Sequence, residues 1–267
     1  MLRRNIILVS VGLILAGCSG EAPTIPGIAV STVTTEANAA GAYDTGPVKN
    51  DEPVQSFGSI PDPSEGSRKV IENPSLADIM MTNPALSEMA LGRATAPVTI
   101  VQYASLSCPH CREFHEKTFP EFKRTYIDTG KVRYILREFP IGKQSGNATV
   151  ALRCAPPEKY FELYGKFMMQ QTLWISQEVR LDPIYAVAKQ VGMTRAQFDA
   201  CFQNQAMIDA LKWVKDRGRT LGVIGTPNFF VQGKLVKSAL TMKDLRELVE
   251  AQLAAPASAS ASATVQR

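Results

Sequence analysis

The sequence has no basic stripe with interleaved aromatics, no glycine-rich phosphate loop and no internal repeat. Its formal net charge is only +4, and its bases lie among acids, as in Lys243-Asp244-Leu245-Arg246-Glu247. These absences argue against nucleic acid as a partner and against a phosphate-loop nucleotide site. Beyond the first seventeen residues no apolar run is long enough to cross a bilayer. Histidine is scarce: the chain has two, His110 and His115. Both belong to one short stretch: His110 lies within the pair Cys108-Pro109-His110-Cys111, and His115 just beyond it. A zinc ribbon brings two such Cys-x-x-Cys knuckles together, and only one is present, so neither a metal nor another cofactor is expected.

What is present begins with a secretory pattern. Met1-Leu2-Arg3-Arg4 is basic, and Asn5 to Gly17 is nearly continuous apolar chain, too short for a span but suited to a signal h-region. It ends on Leu15-Ala16-Gly17-Cys18, which resembles the bacterial lipobox. The resemblance implies residues 1–17 as a cleaved signal and Cys18 as a lipid-bearing N-terminus anchored to a membrane. Residues 18–72 are poor in large apolar side chains and read as a flexible tether with a reach of roughly 40 Å. Residues 254–267 read as a low-complexity tail. One folded core of about 180 residues is left between them.

The five cysteines become four once Cys18 is given to lipid. In an oxidising compartment an even set pairs, Cys108 with Cys111 and Cys154 with Cys201. The alternative for Cys154 and Cys201 is two buried thiols packing as small apolar groups.

Val98 to Tyr103 reads as a buried strand, followed at once by the Cys-x-x-Cys and a helical pattern through Phe114, Phe119, Phe122 and Tyr126. Pro109 suits a first helical turn, and Pro120 should kink or split the helix. Lys131 to Phe139 is a second strand, parallel to the first. Helical segments follow: Asn147–Cys154, Lys159–Leu173, one opened by Asp182-Pro183 and closed by Gly192, one capped by Thr194 with Gln197, and Gln205–Arg217. Strands return at Asn228–Gln232 and Leu235–Val236 around a Gly233-Lys234 turn. Thr241 caps a last amphipathic helix. The fold class is α/β: a βαβ unit, a helical insert, then ββα. The parts fall at 73–144 and 219–253 for the mixed domain and 145–218 for the insert.

On these pieces the chain resembles the DsbA family of thiol:disulfide oxidoreductases. The resemblance rests on Cys108-Pro109-His110-Cys111, Ala96-Pro97-Val98-Thr99-Ile100, Arg137-Glu138-Phe139-Pro140 and Gly225-Thr226-Pro227-Asn228-Phe229-Phe230. It implies a thioredoxin-like core and a Cys108–Cys111 redox disulfide. It further implies a cis-proline loop at Thr226-Pro227 that meets substrate, and a second disulfide, Cys154–Cys201, in the helical part. One position departs: the buried acid common six residues before the first cysteine is here Gln102.

The chemistry follows from the residues. Cys108 at a helix N-terminus has its thiolate stabilised, with His110 beside it. Cys111, one turn on, resolves. His115 reads as an exposed helical histidine. The expected activity is oxidation of reduced exported polypeptides by a monomer on the periplasmic side of a bacterial envelope. By family resemblance a membrane oxidase of the DsbB type recycles it. An isomerase or reductase on the same fold, or a metal-binding lipoprotein, remain the alternatives.

Overall fold

The computed structural model describes residues 70–255. The expected signal peptide, the Cys18 lipid site, the tether through residue 69 and the tail from residue 256 lie outside the described residues.

A five-stranded sheet runs in the order β1-β3-β2-β4-β5. The central strand is β2 (Val98–Ala104), whose β-branched and aromatic residues suit a strand covered on both faces. It pairs in parallel with β3 (Val132–Glu138) and antiparallel with β4 (Asn228–Val231). β4 turns into β5 (Lys234–Val236). The turn residues are Gln232 and Gly233, at φ 47 and 92. Both central residues in the left-handed region define a type I′ turn, so the expected Gly233-Lys234 turn is corrected by one residue. Gln232 is held there: its amide donates to the Thr99 carbonyl, and its Oε1 accepts from the Thr99 amide.

Two elements were not anticipated. β1 (Met89–Leu91) adds antiparallel to β3, and a five-residue helix α1 (Leu76–Met80) starts at a Ser75 capping box. The Ile71 amide donates to the Thr220 carbonyl at 2.9 Å, so the chain is tied to the folded part at Ile71.

Alternation along the strands divides the core. Val101, Tyr103, Ile135 and Phe230 point to one face, where Ile79, Leu221 and Val223 cover them. Ile100, Tyr134, Leu136 and Phe229 point to the other, the larger core, which merges with the helices. On that side α2 (Pro109–Glu113), a π-helical turn, α3 (Phe119–Phe122) and a second π-helical turn run in series to Ile127. Pro120 sits in the first turn of α3, where the split falls and no amide is lost.

The helices between β3 and β4 are α4 (Gly142–Cys154), α5 (Tyr160–Met169), α6 (Gln171–Trp174), α7 (Leu181–Ala188), α8 (Arg195–Cys201) and α9 (Gln205–Thr220). α4 starts before the boundary expected at 144, and α9 runs past the one expected at 218. The helix expected over Lys159–Leu173 is broken at Gln170. Gly192 ends the α7 segment at φ 92, and Thr194 with Gln197 forms the capping box of α8. A last helix, α10 (Met242–Ala254), starts at a second capping box on Thr241. Among the described residues no helix is long and apolar enough to cross a membrane.

Candidate redox site

β2 delivers the site. Its last residue is Ala104, and a short turn closed by the Cys108 amide on the Ser105 carbonyl places Cys108 as the N-cap of α2. Pro109 occupies the first helical position, which needs no donor. Cys108 is buried but for 9% of its surface, and Cys111 is fully enclosed. Neither is disulfide-bonded in the structure. The Cys111 amide donates to Cys108 Sγ at 3.4 Å.

The register of β4 brings in the second half. Asn228 pairs with Tyr103 at the same end of β2, so the residues just before it lie beside the thiols. Thr226–Pro227 is a cis peptide. In the protonated state Cys108 Sγ donates to the Thr226 carbonyl at 3.1 Å. A cleft of about 490 Å³ opens here, lined by His110, Ile224, Thr226, Pro227, Asn228 and Lys237. Ile224 is 81% exposed at its rim.

The two thiols are driven apart electrostatically. A hydrogen bond from the Cys111 thiol is the largest influence on Cys108. With help from the Thr226 side chain and the amides of Cys111 and His110, it outweighs burial and brings Cys108 down to about 5. Burial pushes Cys111 well above the ordinary thiol value, and the neighbouring Cys108 reinforces it. A low-pKa sulfur that keeps slight exposure and a high-pKa sulfur wholly enclosed are what thiol–disulfide exchange uses: one attacks or leaves as thiolate, the other closes the ring. His110 is exposed, and it acts on Cys108 through its backbone amide.

His115 corrects an expectation. It is not an exposed histidine: its ring stacks on Phe119, meets Tyr164 edge-on and faces the open side of Gly165 in α5. Burial holds its pKa below the ordinary value. Gln102 is fully buried on the Cys111 side of the sheet, where the Tyr134 hydroxyl donates to its Oε1. Its Nε2 has no hydrogen-bond partner among the described residues. Burial and the charge of Cys111 raise Tyr134 well above an ordinary phenol.

Cys154 and Cys201 are disulfide-bonded, across a separation of 47 residues. They join the end of α4 to the end of α8, away from the Cys108 cleft lining. Among the described residues no group of three or more His, Cys, Asp or Glu side chains is placed to hold a metal.

Two contacts escaped the sequence reading. Gln171 donates to the carbonyls of Leu106 and Cys108, and Ser105 and Ser145 pair at 2.8 Å beneath the thiol loop. Neither has a sequence signal, because each depends on where the helices pack.

The profile of a family described as Thioredoxin matches residues 85–251, more than half of the chain. The chain belongs to the thioredoxin family. Within it, a Rickettsia conorii protein named "Putative protein-disulfide oxidoreductase" is 32% identical over 150 residues, 55% of this chain and 54% of that protein. The chain thus spans about half the length of the curated relatives it matches first. The disulfide bond formation protein D of Bacillus subtilis is 22% identical over 184 residues, 66% of this chain and 82% of that protein. Among solved structures, Wolbachia pipientis alpha-DsbA1 superposes with a TM-score of 0.60 at 25% identity, covering 66% of this chain and 94% of that one. Oxidised BdbD from Bacillus subtilis shares the fold with a TM-score of 0.59 at 21% identity, covering 70% and 99%.

Proposed function

We propose that the chain is a DsbA-type thiol:disulfide oxidoreductase that donates the Cys108–Cys111 disulfide to reduced cysteines of exported proteins. The observation that carries this reading is the geometry of the pair: Cys108 is the N-cap of a helix, its Sγ under the Cys111 amide and beside the cis Thr226–Pro227 peptide, with Cys111 fully enclosed. A substrate thiolate attacks Cys108 Sγ, the Cys108–Cys111 bond breaks, and Cys111 leaves and takes up a proton. A second substrate thiolate attacks the substrate sulfur of the mixed disulfide and releases Cys108 as thiolate. Two electrons pass from substrate to protein, one proton stays on Cys111 and one goes to solvent. Thr226 and Pro227, beside Cys108, receive the extended substrate segment in the cleft.

In this reading residues 73–144 with 219–253 form the thioredoxin-like part and 145–218 the helical insert. Cys154–Cys201 is structural. The protein acts as a monomer, held to a membrane on the periplasmic side through lipid on Cys18, and a membrane oxidase of the DsbB type regenerates the disulfide.

The test is the reduction potential of the full chain, equilibrated in glutathione buffers and read by alkylation of the Cys108 and Cys111 peptides. A value near −120 mV supports the oxidase, and a value near −270 mV makes the protein a reductase.

A further inference from the structure

The helices between β3 and β4 do more than cover the dithiol. α5 stops at Gln170, whose φ of −109 and ψ of 24 leave helical geometry, and α6 restarts at Gln171 for four residues. The break is held from several sides. Trp174 Nε1 donates to the Phe167 carbonyl at 2.9 Å, serving a carbonyl near the end of α5. Gln170 and Gln190 exchange side-chain amide hydrogen bonds of 2.9 and 2.8 Å. The Leu173 amide turns back to the Gln170 carbonyl at 2.9 Å. This arrangement turns the Gln171 side chain inward, where it is buried.

There the amide does one thing. Its Nε2 donates to the Leu106 carbonyl at 2.7 Å and to the Cys108 carbonyl at 3.1 Å. Both partners are acceptors, so only the NH₂ end serves them, and the orientation of the amide is set by chemistry. The Cys108 carbonyl also takes the first helical bond of α2, from the Arg112 amide at 3.1 Å. One carbonyl is therefore gripped by α2 on one side and by α6 on the other. The start of the same loop is tied to α4, through the Ser105–Ser145 hydroxyl pair and the Ile141 amide on Ser105 Oγ.

We propose that Gln171 is a positioning residue for the redox site: by holding the two carbonyls that flank Ser107, it fixes the Cys108 peptide so that Sγ sits under the Cys111 amide and against Thr226. This rests on the reading of Cys108 as the exchanging sulfur. Without the two donors, the Leu106 carbonyl is left buried without a partner, the Cys108 carbonyl keeps only the Arg112 amide, and the loop turns toward water to hydrate the freed oxygen. The groups that converge on Cys108 Sγ then lose their alignment. The thiolate is less stabilised, the reduced form loses stability relative to the disulfide, and the pair becomes a weaker oxidant.

The test compares the full chain with its Gln171→Leu variant, which keeps bulk without donors. It also uses Gln171→Asn, which keeps the donors but withdraws them by one methylene. The readouts are the pH dependence of Cys108 alkylation, resolved by peptide mass, and the equilibrium with glutathione. The expected result is a Cys108 midpoint raised by about one pH unit and an equilibrium shifted about tenfold, or about 30 mV, toward the disulfide. A merely structural residue lowers the melting temperature and leaves both readouts in place. Should the Leu variant fail to fold, the Asn variant decides on the same outcomes. An acidic wild-type Cys108 whose titration and equilibrium are unchanged in the folded variants overturns the role of Gln171 alone. A wild-type Cys108 that titrates as an ordinary thiol overturns this role and the oxidase reading together.

Discussion

The Cys111 amide points at Cys108 Sγ at 3.4 Å, while the Cys111 sulfur itself lies wholly inside the protein. One residue thus stabilises its partner's thiolate and keeps its own proton. The Cys108 thiol is depressed from 9.0 to about 5, so it stabilises the folded reduced state fully above pH 9.0 and not at all below pH 5. At pH 7 the contribution is roughly 2–3 kcal/mol. The melting temperature of the reduced protein minus that of the oxidised protein is therefore expected to grow from pH 4 to pH 8. A difference that stays flat over this range would remove the thiolate from the account.

On the proposed reading the two sulfurs take separate steps. Cys108→Ser is expected to abolish exchange with a reduced peptide. Cys111→Ser is expected to form the mixed disulfide through Cys108 and stall there, because the resolving sulfur is gone. Mass spectrometry after incubation with a cysteine peptide disulfide reads this directly. A trapped adduct on Cys111 in the Cys108→Ser variant would reverse the assignment.

Legibility in the sequence tracks how local each feature is. Cys108 and Cys111 share one helical turn after a β-branched strand, so their arrangement could be read without any long-range information. Thr226 reaches Cys108 only through the register of β4 on β2, and the sequence pointed there by family resemblance alone. β1 is three residues long, too short for alternation to declare it. The hairpin turn was displaced by one because Gln232 adopts a positive φ that usually belongs to glycine or asparagine. His115 reads as exposed on its own helix, and it is covered by Phe119 and by Tyr164 of α5, where Gly165 lets the ring lie close. Gln171 belongs to a polar Gln170-Gln171-Thr172 run that looks like surface.

Glu138 at the end of β3 tests how the helices are fastened to the sheet. It is buried, ion-pairs Arg153 of α4 and accepts from the Tyr160 hydroxyl of α5 at 2.6 Å. Burial pushes its carboxyl up, but the Arg153 charge and the hydrogen bonds prevail and hold it below the usual range. Its contribution is thus present above the unfolded value of 4.5 and lost as pH falls through the lower folded one. Glu138→Gln leaves the Arg153 charge buried without its partner and is expected to cost about 3–5 kcal/mol in urea unfolding at pH 7. A loss under about 1 kcal/mol, the scale of a surface pair, would show that the site is hydrated.

His115 predicts a different acid response. Its folded pKa lies below 6.5, so the unfolded chain takes up a proton first and stability falls as pH drops below 6.5. His115→Phe keeps an aromatic ring against Phe119 and cannot titrate. The variant is expected to lose this part of the acid-side decline and to match the parent above pH 7. Parallel pH–stability curves for the two proteins would show that the imidazole stays hydrated at the α5 contact.

The Cys154–Cys201 bond closes a loop of 47 residues around the helices, remote from the dithiol in sequence and not part of its cleft. In the chain-entropy account such a cross-link removes about 4 kcal/mol worth of freedom from the unfolded chain. The double variant Cys154→Ala with Cys201→Ala is expected to unfold at lower urea by about that energy, with the Cys108 titration in place. The double variant is the informative one, because a single substitution leaves an unpaired thiol free to attack Cys108. If instead the Cys108 midpoint moved while stability held, the bond would be acting on the redox site through α4, whose Ser145 contacts Ser105 beneath the thiol loop.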